Sequence, residues 1–159
     1  MALRNIRKDG DEILKKRSKE VEIIDDRIRE LIQDMIETMH RYDGLGLAAV
    51  QVGVLKRVVV IDLYEEGKQF VLINPVILEM SGEQIVEEGC LSFPDTFGKV
   101  KRALKCKVKA IDIEGKEFIV EGEGLLAQAL QHEIDHLEGE LFIKKVLPGT
   151  LEKVKPEKK

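Results

Sequence analysis

The sequence has 159 residues, of which 43% are hydrophobic, 35% charged and only 4% aromatic. A chain of this length buries roughly 68–70% of the surface that its unfolded form exposes, so we expect one self-supporting domain rather than a disordered or collagen-like chain. The net charge of −4 comes from 30 acidic and 26 basic residues spread along the whole sequence. Since nucleic-acid binding requires a concentrated basic face, no direct nucleic-acid site is expected.

The apolar runs of the sequence are short, and Val58–Ile61 and Phe70–Ile73 are typical of them. A membrane-spanning helix needs roughly 20 apolar residues, so no membrane contact is expected. Charged side chains interrupt the N-terminus before an apolar segment develops, which predicts no secretory signal and a cytoplasmic location. In that compartment Cys90 and Cys106 are expected to be free thiols.

The first element in chain order is an amphipathic helix over residues 25–42. Its apolar residues recur at helical spacing, and Asp25 or Asp26 can cap its first turn. Gly44 follows the end of the helix. On this helix Asp34 is expected on the outer polar face, and His40 is expected to face solvent rather than to bind a metal.

Short runs rich in Val and Ile predict strands over residues 57–63, 69–78, 105–113 and 117–120. Glu114 and Gly115 indicate a hairpin turn between the last two. Cys106 alternates with lysines there, which predicts a small buried hydrophobic residue. Helical spacing returns over residues 124–137, and Gly139 ends that helix. The order predicts an α+β fold, in which mostly antiparallel strands pack around this second, central helix.

The second helix contains the segment HEIDH, which matches the pattern H-E-x-x-H at residues 132–136. Residues four apart share a helical face, so the imidazoles of His132 and His136 can converge on one metal ion. Glu133 can then reach the water that the metal activates. The alternative is a polar face with two solvated histidines, but the flanking Leu130 and Leu137 favour a buried face.

A catalytic divalent metal usually takes three protein ligands, so a third ligand must come from another segment. Glu138 and Glu140 are too close to HEIDH to reach round the helix. Cys90 is the better candidate, because a flexible Gly89 precedes it in the segment EGCLS and a thiol beside a divalent cation loses its proton. Two imidazoles and one thiolate suit zinc, iron(II), cobalt or nickel.

A stretch of small residues, GLGLAAVQ, follows the first helix and runs from Gly44 to Gln51. Small side chains permit close backbone approach, so the stretch could accept an extended peptide by strand addition. Gln51 offers an amide donor for a developing oxyanion. Taken alone, the stretch is more typical of a helix-to-strand turn that contains glycine.

Together the three segments, GLGLAAVQ, EGCLS and HEIDH in this order, resemble the peptide deformylase family over roughly residues 1–147. The resemblance implies a metal-dependent hydrolase that removes the formyl group from the N-terminal formyl-methionine of newly made polypeptides and releases formate. It also implies transient contact with the ribosome, and iron(II) as the metal in the cell. Residues 148–159 are expected to form a short charged tail rather than a full C-terminal helix.

The resemblance also implies a role for each matching residue. The metal ligands would be Cys90, His132 and His136, the general base and acid Glu133, the oxyanion donors Gln51 and the Leu91 backbone N–H, and the contacts to the peptide backbone Gly46 and Gly89. Phe97 stands where some members carry Arg. We further expect a buried ion pair between Glu88 and Arg102 that orients the loop carrying Cys90, because Arg102 is the only arginine after Arg57.

Two other functions use the same residues. An H-E-x-x-H endopeptidase would share the metal and the base, but it needs an open cleft around a mid-chain peptide bond, for which the chain is small. A structural zinc site usually takes four protein ligands. No fourth ligand is evident, since Cys106 lies in a strand pattern and His40 on a separate helix. Release of formate from a formyl-methionyl peptide would separate these functions.

Overall fold

The computed structural model describes residues 2–154. It contains two helices, α1 (Asp26–Arg41) and α2 (Leu125–Leu137), and eight strands: β1 (Gly46–Ala48), β2 (Val58–Asp62), β3 (Gln69–Ser81), β4 (Gln84–Cys90), β5 (Phe93–Arg102), β6 (Lys105–Ile111), β7 (Glu117–Glu123) and β8 (Glu152–Lys153). Short 3-10 turns occupy Glu12–Lys15, Ala49–Val52 and Phe142–Lys144. Across this part of the chain, neither helix has the length and apolarity needed to cross a membrane.

The strands form two separate antiparallel sheets. The first has five strands in the order β1-β2-β3-β6-β7, and the second has three in the order β4-β5-β8. Every pair of neighbouring strands is antiparallel. The predicted α+β class is therefore confirmed, and both β1 and β4 lie at the edge of a sheet.

The five-stranded sheet lies between the two helices because side chains alternate along β2. Val58 and Val60 are buried in the cluster that contains the apolar face of α1. Val59 and Ile61 are buried in the cluster that contains α2. With all five residues of the strand buried, β2 is the centre of the core and positions both helices.

Helix α1 begins where the sequence predicts, since the Asp25 side chain accepts a hydrogen bond of 3.0 Å from the backbone N–H of Ile28. The expectation for Asp34 is wrong, because its carboxylate is buried. It accepts hydrogen bonds from the Ala2 backbone N–H at 2.8 Å and the Arg4 guanidinium at 2.9 Å. The N-terminal segment crosses this face of the helix and supplies both partners. His40 is exposed, as expected.

Almost every side chain of α2 is buried, which makes it the central helix that the sequence predicts. Leu126, Leu130 and Leu137 pack onto the five-stranded sheet. A smaller apolar cluster beside the three-stranded sheet includes Phe93 and Phe142, whose rings meet edge to face at 5.6 Å. His132 on α2 approaches the same Phe142, with ring centroids 5.8 Å apart. The polar residues of HEIDH are thereby enclosed within the fold.

The structure contains a hairpin of β4 and β5, two strands that the sequence patterns do not predict. Cys90 ends a strand, and the expectation of a loop there is wrong. The inward-facing positions of β5 include Gly98 and Arg102, so its buried side does not read as hydrophobic. Part of the charged tail adds a strand, β8, that pairs with Thr96 and Phe97 of β5.

Cys106 lies on β6 as a buried free thiol, as the sequence predicts. Burial raises its pKa to about 11. The thiol therefore stays protonated at neutral pH and acts as a small hydrophobic side chain of the core.

Candidate metal centre

The side chains of Cys90, His132 and His136 converge, although Cys90 and His136 are 46 positions apart in sequence. Their ligand atoms all lie within 4.8 Å of one another. The Cys90 Sγ atom is 3.3 Å from His136 Nε2. The two histidines share one face of α2 because they are four residues apart, and the end of β4 places the thiol opposite them.

The chemistry of these three donors fits a divalent transition metal. Burial, together with neighbouring His132, lowers the pKa of His136 well below its usual value, so its imidazole is neutral and free to bind a cation. Burial also acts to lower the pKa of His132, but Glu133, Cys90 and Glu88 outweigh it and raise that pKa. The acidic groups around the site therefore favour a positive charge at this position.

Behind the cluster, Glu88 orients one of the histidines. His132 Nδ1 is 2.8 Å from Glu88 Oε1, which leaves the Nε2 atom for the cluster. Arg102 donates to both oxygens of Glu88, at 2.6 and 2.7 Å, so the ion pair expected from the sequence is present. Burial alone would raise the pKa of Glu88, but its hydrogen bonds with Arg102 and His132 lower it to about 2.

Arg102 has a second acidic partner that the sequence reasoning missed. Its Nη1 atom donates to Asp135 Oδ2 at 2.6 Å. Asp135 occupies a position in H-E-x-x-H that the metal chemistry leaves free, so no signal in the motif identifies it. The guanidinium therefore joins a carboxylate of β4 to a carboxylate of α2.

Glu133 lies beside the cluster, and its carboxyl group is buried. Its Oε1 atom has no hydrogen-bond partner among the described residues. Burial raises the pKa of Glu133 to about 7, although the neighbouring His132 acts in the opposite direction. A carboxyl group with this pKa can accept and return a proton near neutral pH.

The amide of Gln51 is turned towards the thiol of Cys90. Its Oε1 atom accepts a hydrogen bond of 2.9 Å from the Ala48 backbone N–H, and this contact orients the Nε2 atom to the other side. Nε2 lies 3.4 Å from Cys90 Sγ and 3.1 Å from Ser92 Oγ. Ser92 is fully buried and was missed as a site residue, although it lies within the segment EGCLS.

A cleft of about 1050 Å³ opens in front of these groups, and segments of the two sheet edges line it. Gly46 of β1 and Gly89 of β4 lie along it, as does Leu91 in the connection between β4 and β5. A Cβ atom at Gly46 would lie 2.6 Å from Glu133 Oε2, so only glycine permits this approach. A Cβ atom at Gly89 would lie 2.8 Å from the ring of Phe97, which also lines the cleft.

The apolar side chains of the cleft include Leu45, Leu91 and Leu125, which come from three different segments. Glu133 and Gln51 are among its polar lining residues. An extended peptide with an apolar first side chain fits this combination, since a strand edge supplies backbone groups and the leucines supply an apolar surface.

Comparison with known proteins shows which family the chain belongs to. The sequence profile of the polypeptide deformylase family matches residues 3–151. The chain belongs to the polypeptide deformylase family. It is 56% identical to peptide deformylase 1 of Clostridium perfringens over 143 residues, which cover 90% of this chain and 97% of the relative. It is 58% identical to the peptide deformylase of Acetivibrio thermocellus over 147 residues, which cover 92% of this chain and 85% of the relative.

Solved structures of the family have the same fold. The peptide deformylase of Legionella pneumophila superimposes with a TM-score of 0.88 at 48% identity, covering 92% of this chain and 87% of that one. The peptide deformylase of Thermotoga maritima gives a TM-score of 0.88 at 43% identity, with 92% of this chain and 99% of that one covered. The likeness therefore extends over about nine-tenths of this chain.

Proposed function

We propose that the cleft performs the reaction of the family through the residues that converge around the candidate metal site. The chain is a hydrolase that removes the formyl group from an N-terminal formyl-methionine. The observation that carries the assignment of roles is the joint placement of Cys90, His132 and His136 beside Glu133 and Gln51. A buried base and an oriented amide donor have no purpose in a purely structural metal site.

Cys90, His132 and His136 would hold the metal ion. When bound, a divalent metal supplies Lewis acidity, which activates a water molecule and polarises the formyl carbonyl. We infer iron(II) as the ion in the cell, on the basis of the mixed thiolate and imidazole ligands and the resemblance to the family. Zinc, nickel and cobalt suit the same ligands.

Glu133 is the general base and then the general acid in this proposal. Its carboxylate accepts the proton of the attacking water and later gives a proton to the departing amine, so that formate and a free N-terminus result. The pKa of about 7 suits both directions of transfer. Among the described residues, no group forms a hydrogen bond with Glu133 Oε1, so this atom is available to accept the proton.

Gln51 and the backbone N–H of Leu91 are the proposed donors to the negative charge that develops on the formyl oxygen. The contact from Ala48 holds the Gln51 amide before substrate arrives, which avoids the cost of reorienting it during the reaction. Each such donor is worth about 3 kcal/mol in the transition state.

The peptide backbone of the substrate is proposed to add to the free edge of β1, with contacts at Gly46 and Gly89. Because Gly46 approaches Glu133 closely, a peptide on this strand edge would lie beside the base. The apolar surface near Leu125 would receive the methionine side chain, which is flexible enough to fill an irregular space.

The proposed substrate in the cell is a nascent polypeptide that still carries its formyl group. This implies a cytoplasmic location and transient contact with the ribosome. We propose that residues 1–147 form the catalytic domain and that residues 148–159 form a short charged tail.

Formate release from formyl-Met-Ala-Ser by the metal-loaded protein tests the function. We expect one formate for each new N-terminal amine, and no cleavage of internal peptide bonds in an acetylated peptide of the same sequence. Fragments of the acetylated peptide without formate release from the formylated one would instead identify an endopeptidase. Glu133→Gln is the matched control for activity from a contaminating enzyme.

A further inference from the structure

The segment over residues 43–45, which lines the cleft just before β1, is held by four hydrogen bonds. The backbone N–H groups of Asp43 and Gly44 donate to the carbonyls of His40 and Met39 at the end of α1, at 3.2 and 2.9 Å. The backbone N–H of Asp62 donates to the Leu45 carbonyl at 2.9 Å. The hydroxyl of Tyr64 donates to the Gly44 carbonyl at 2.7 Å. The bond from Tyr64 is the one that a side chain controls, since the other three join backbone groups.

Tyr64 is itself held in an unusual conformation. Its φ angle is 59°, in the left-handed region that side chains rarely adopt. Its backbone N–H donates to Asp62 Oδ1 at 2.7 Å, and its ring lies 5.7 Å from the ring of His40. The buried Asp62 carboxylate also contacts His40 Nε2 at 2.7 Å and accepts from Gln69 at 3.1 Å. These contacts compensate for the backbone strain and direct the tyrosine hydroxyl at the cleft wall.

The position of Gly44 affects both sides of the cleft. A Cβ atom at Gly44 would lie 2.8 Å from Leu91 Cδ1, so this backbone packs directly against Leu91. Two residues further on, Gly46 approaches Glu133. A shift of the Gly44 carbonyl would therefore move the strand edge that faces the peptide, while Cys90, His132 and His136 are held separately by β4 and α2.

We propose that Tyr64 is a positioning residue for peptide binding, which acts by fixing the Gly44 carbonyl and with it the strand edge that the substrate joins. Tyr64 does not contact the reacting atoms, and its effect passes through the 43–45 segment. The inference rests on the proposed function, because it concerns how the formylated peptide is held at that site.

Tyr64→Phe tests the proposal, since it removes only the hydroxyl and retains the ring beside His40. Steady-state kinetics with formyl-Met-Ala-Ser should show a KM about fivefold higher, which is the typical effect of losing one hydrogen bond. The kcat value should stay within twofold, because the edge holds the substrate and the transition state alike. The Kd of the product peptide Met-Ala-Ser should rise by a similar factor.

Asp112→Ala is a matched control for loss of stability without an effect on the cleft. The Asp112 carboxylate accepts hydrogen bonds from the Glu114 and Lys116 backbone N–H groups at 2.9 and 3.0 Å, in the turn between β6 and β7. This variant should unfold at a lower temperature with unchanged KM, because partial unfolding reduces only the active fraction.

The outcomes separate the two proposals. An unchanged KM in Tyr64→Phe, or a fall in kcat without a rise in KM, would overturn the positioning role while the native chain still released formate. If the native protein loaded with iron(II) or nickel released no formate, the proposed function would fail and this inference with it.

Discussion

Arg102 offers the sharpest test of how the fold supports the metal site. Its guanidinium is buried and donates to both oxygens of Glu88 and to Asp135. Arg102→Ala would leave the Glu88 carboxylate buried without its partner. Breaking a buried ion pair in this way costs about 3–5 kcal/mol. At about 2–4 °C per kcal/mol for a chain of this size, we expect the unfolding midpoint to fall by roughly 6–20 °C.

The same substitution should weaken metal binding. Glu88 holds His132 Nδ1 at 2.8 Å and lies on β4 two residues before Cys90, so its displacement disturbs two of the three ligands. Loss of a group that orients a ligand typically lowers metal affinity by 10–100-fold. We would measure zinc affinity by competition with a chelator of known affinity, at a temperature where the variant is folded by circular dichroism.

Lys101→Ala is the matched control, because it removes the neighbouring cation of the same strand. Its ion pair with Glu83 has an N···O distance of 3.4 Å and both side chains are more than half exposed, so it contributes about 0–1 kcal/mol. Arg102→Lys should fall between the two, since lysine keeps the charge but loses the bidentate geometry. Zinc affinity in Arg102→Ala equal to that of Lys101→Ala would refute the reasoning.

The other expectations concern the reaction and the metal. Glu133→Gln should keep zinc and the fold but lower kcat by at least about 10²-fold, since the proton acceptor is lost; metal content measured beside formate release checks this, and near-native turnover would remove Glu133 from the mechanism. Gln51→Ala should lower kcat by about 10²–10³-fold with little change in the Kd of Met-Ala-Ser, and a change confined to KM would instead make Gln51 a binding group. Protein loaded with iron(II) without oxygen should turn over faster than the zinc form and lose activity in air, and equal rates and equal air stability would contradict iron(II) as the metal in the cell.

Much of the fold follows from local sequence patterns. The limits of α1 and α2 follow from apolar spacing, from the Asp25 cap and from Gly139, which adopts a φ angle of 73° at the end of α2. The pattern fails for β4 and β5, because charged and glycine residues fill inward positions of this hairpin. Arg102 can face inwards only because Glu88 and Asp135 lie there to receive it. A burial pattern that depends on such partners cannot be recognised from one segment.

Part of the candidate site also follows from local sequence, and the rest depends on tertiary structure. The sequence by itself determined that His132, His136 and Glu133 lie close together, because residues one and four apart have a fixed relation on any helix. It determined which residues resemble the family, but not the distances between them. Only the tertiary structure decided that the Cys90 thiol faces the two imidazoles and that the Gln51 amide is turned towards it. These relations depend on how strand edges and a helix pack across a shared core, and contacts between distant segments exist only once that core has formed.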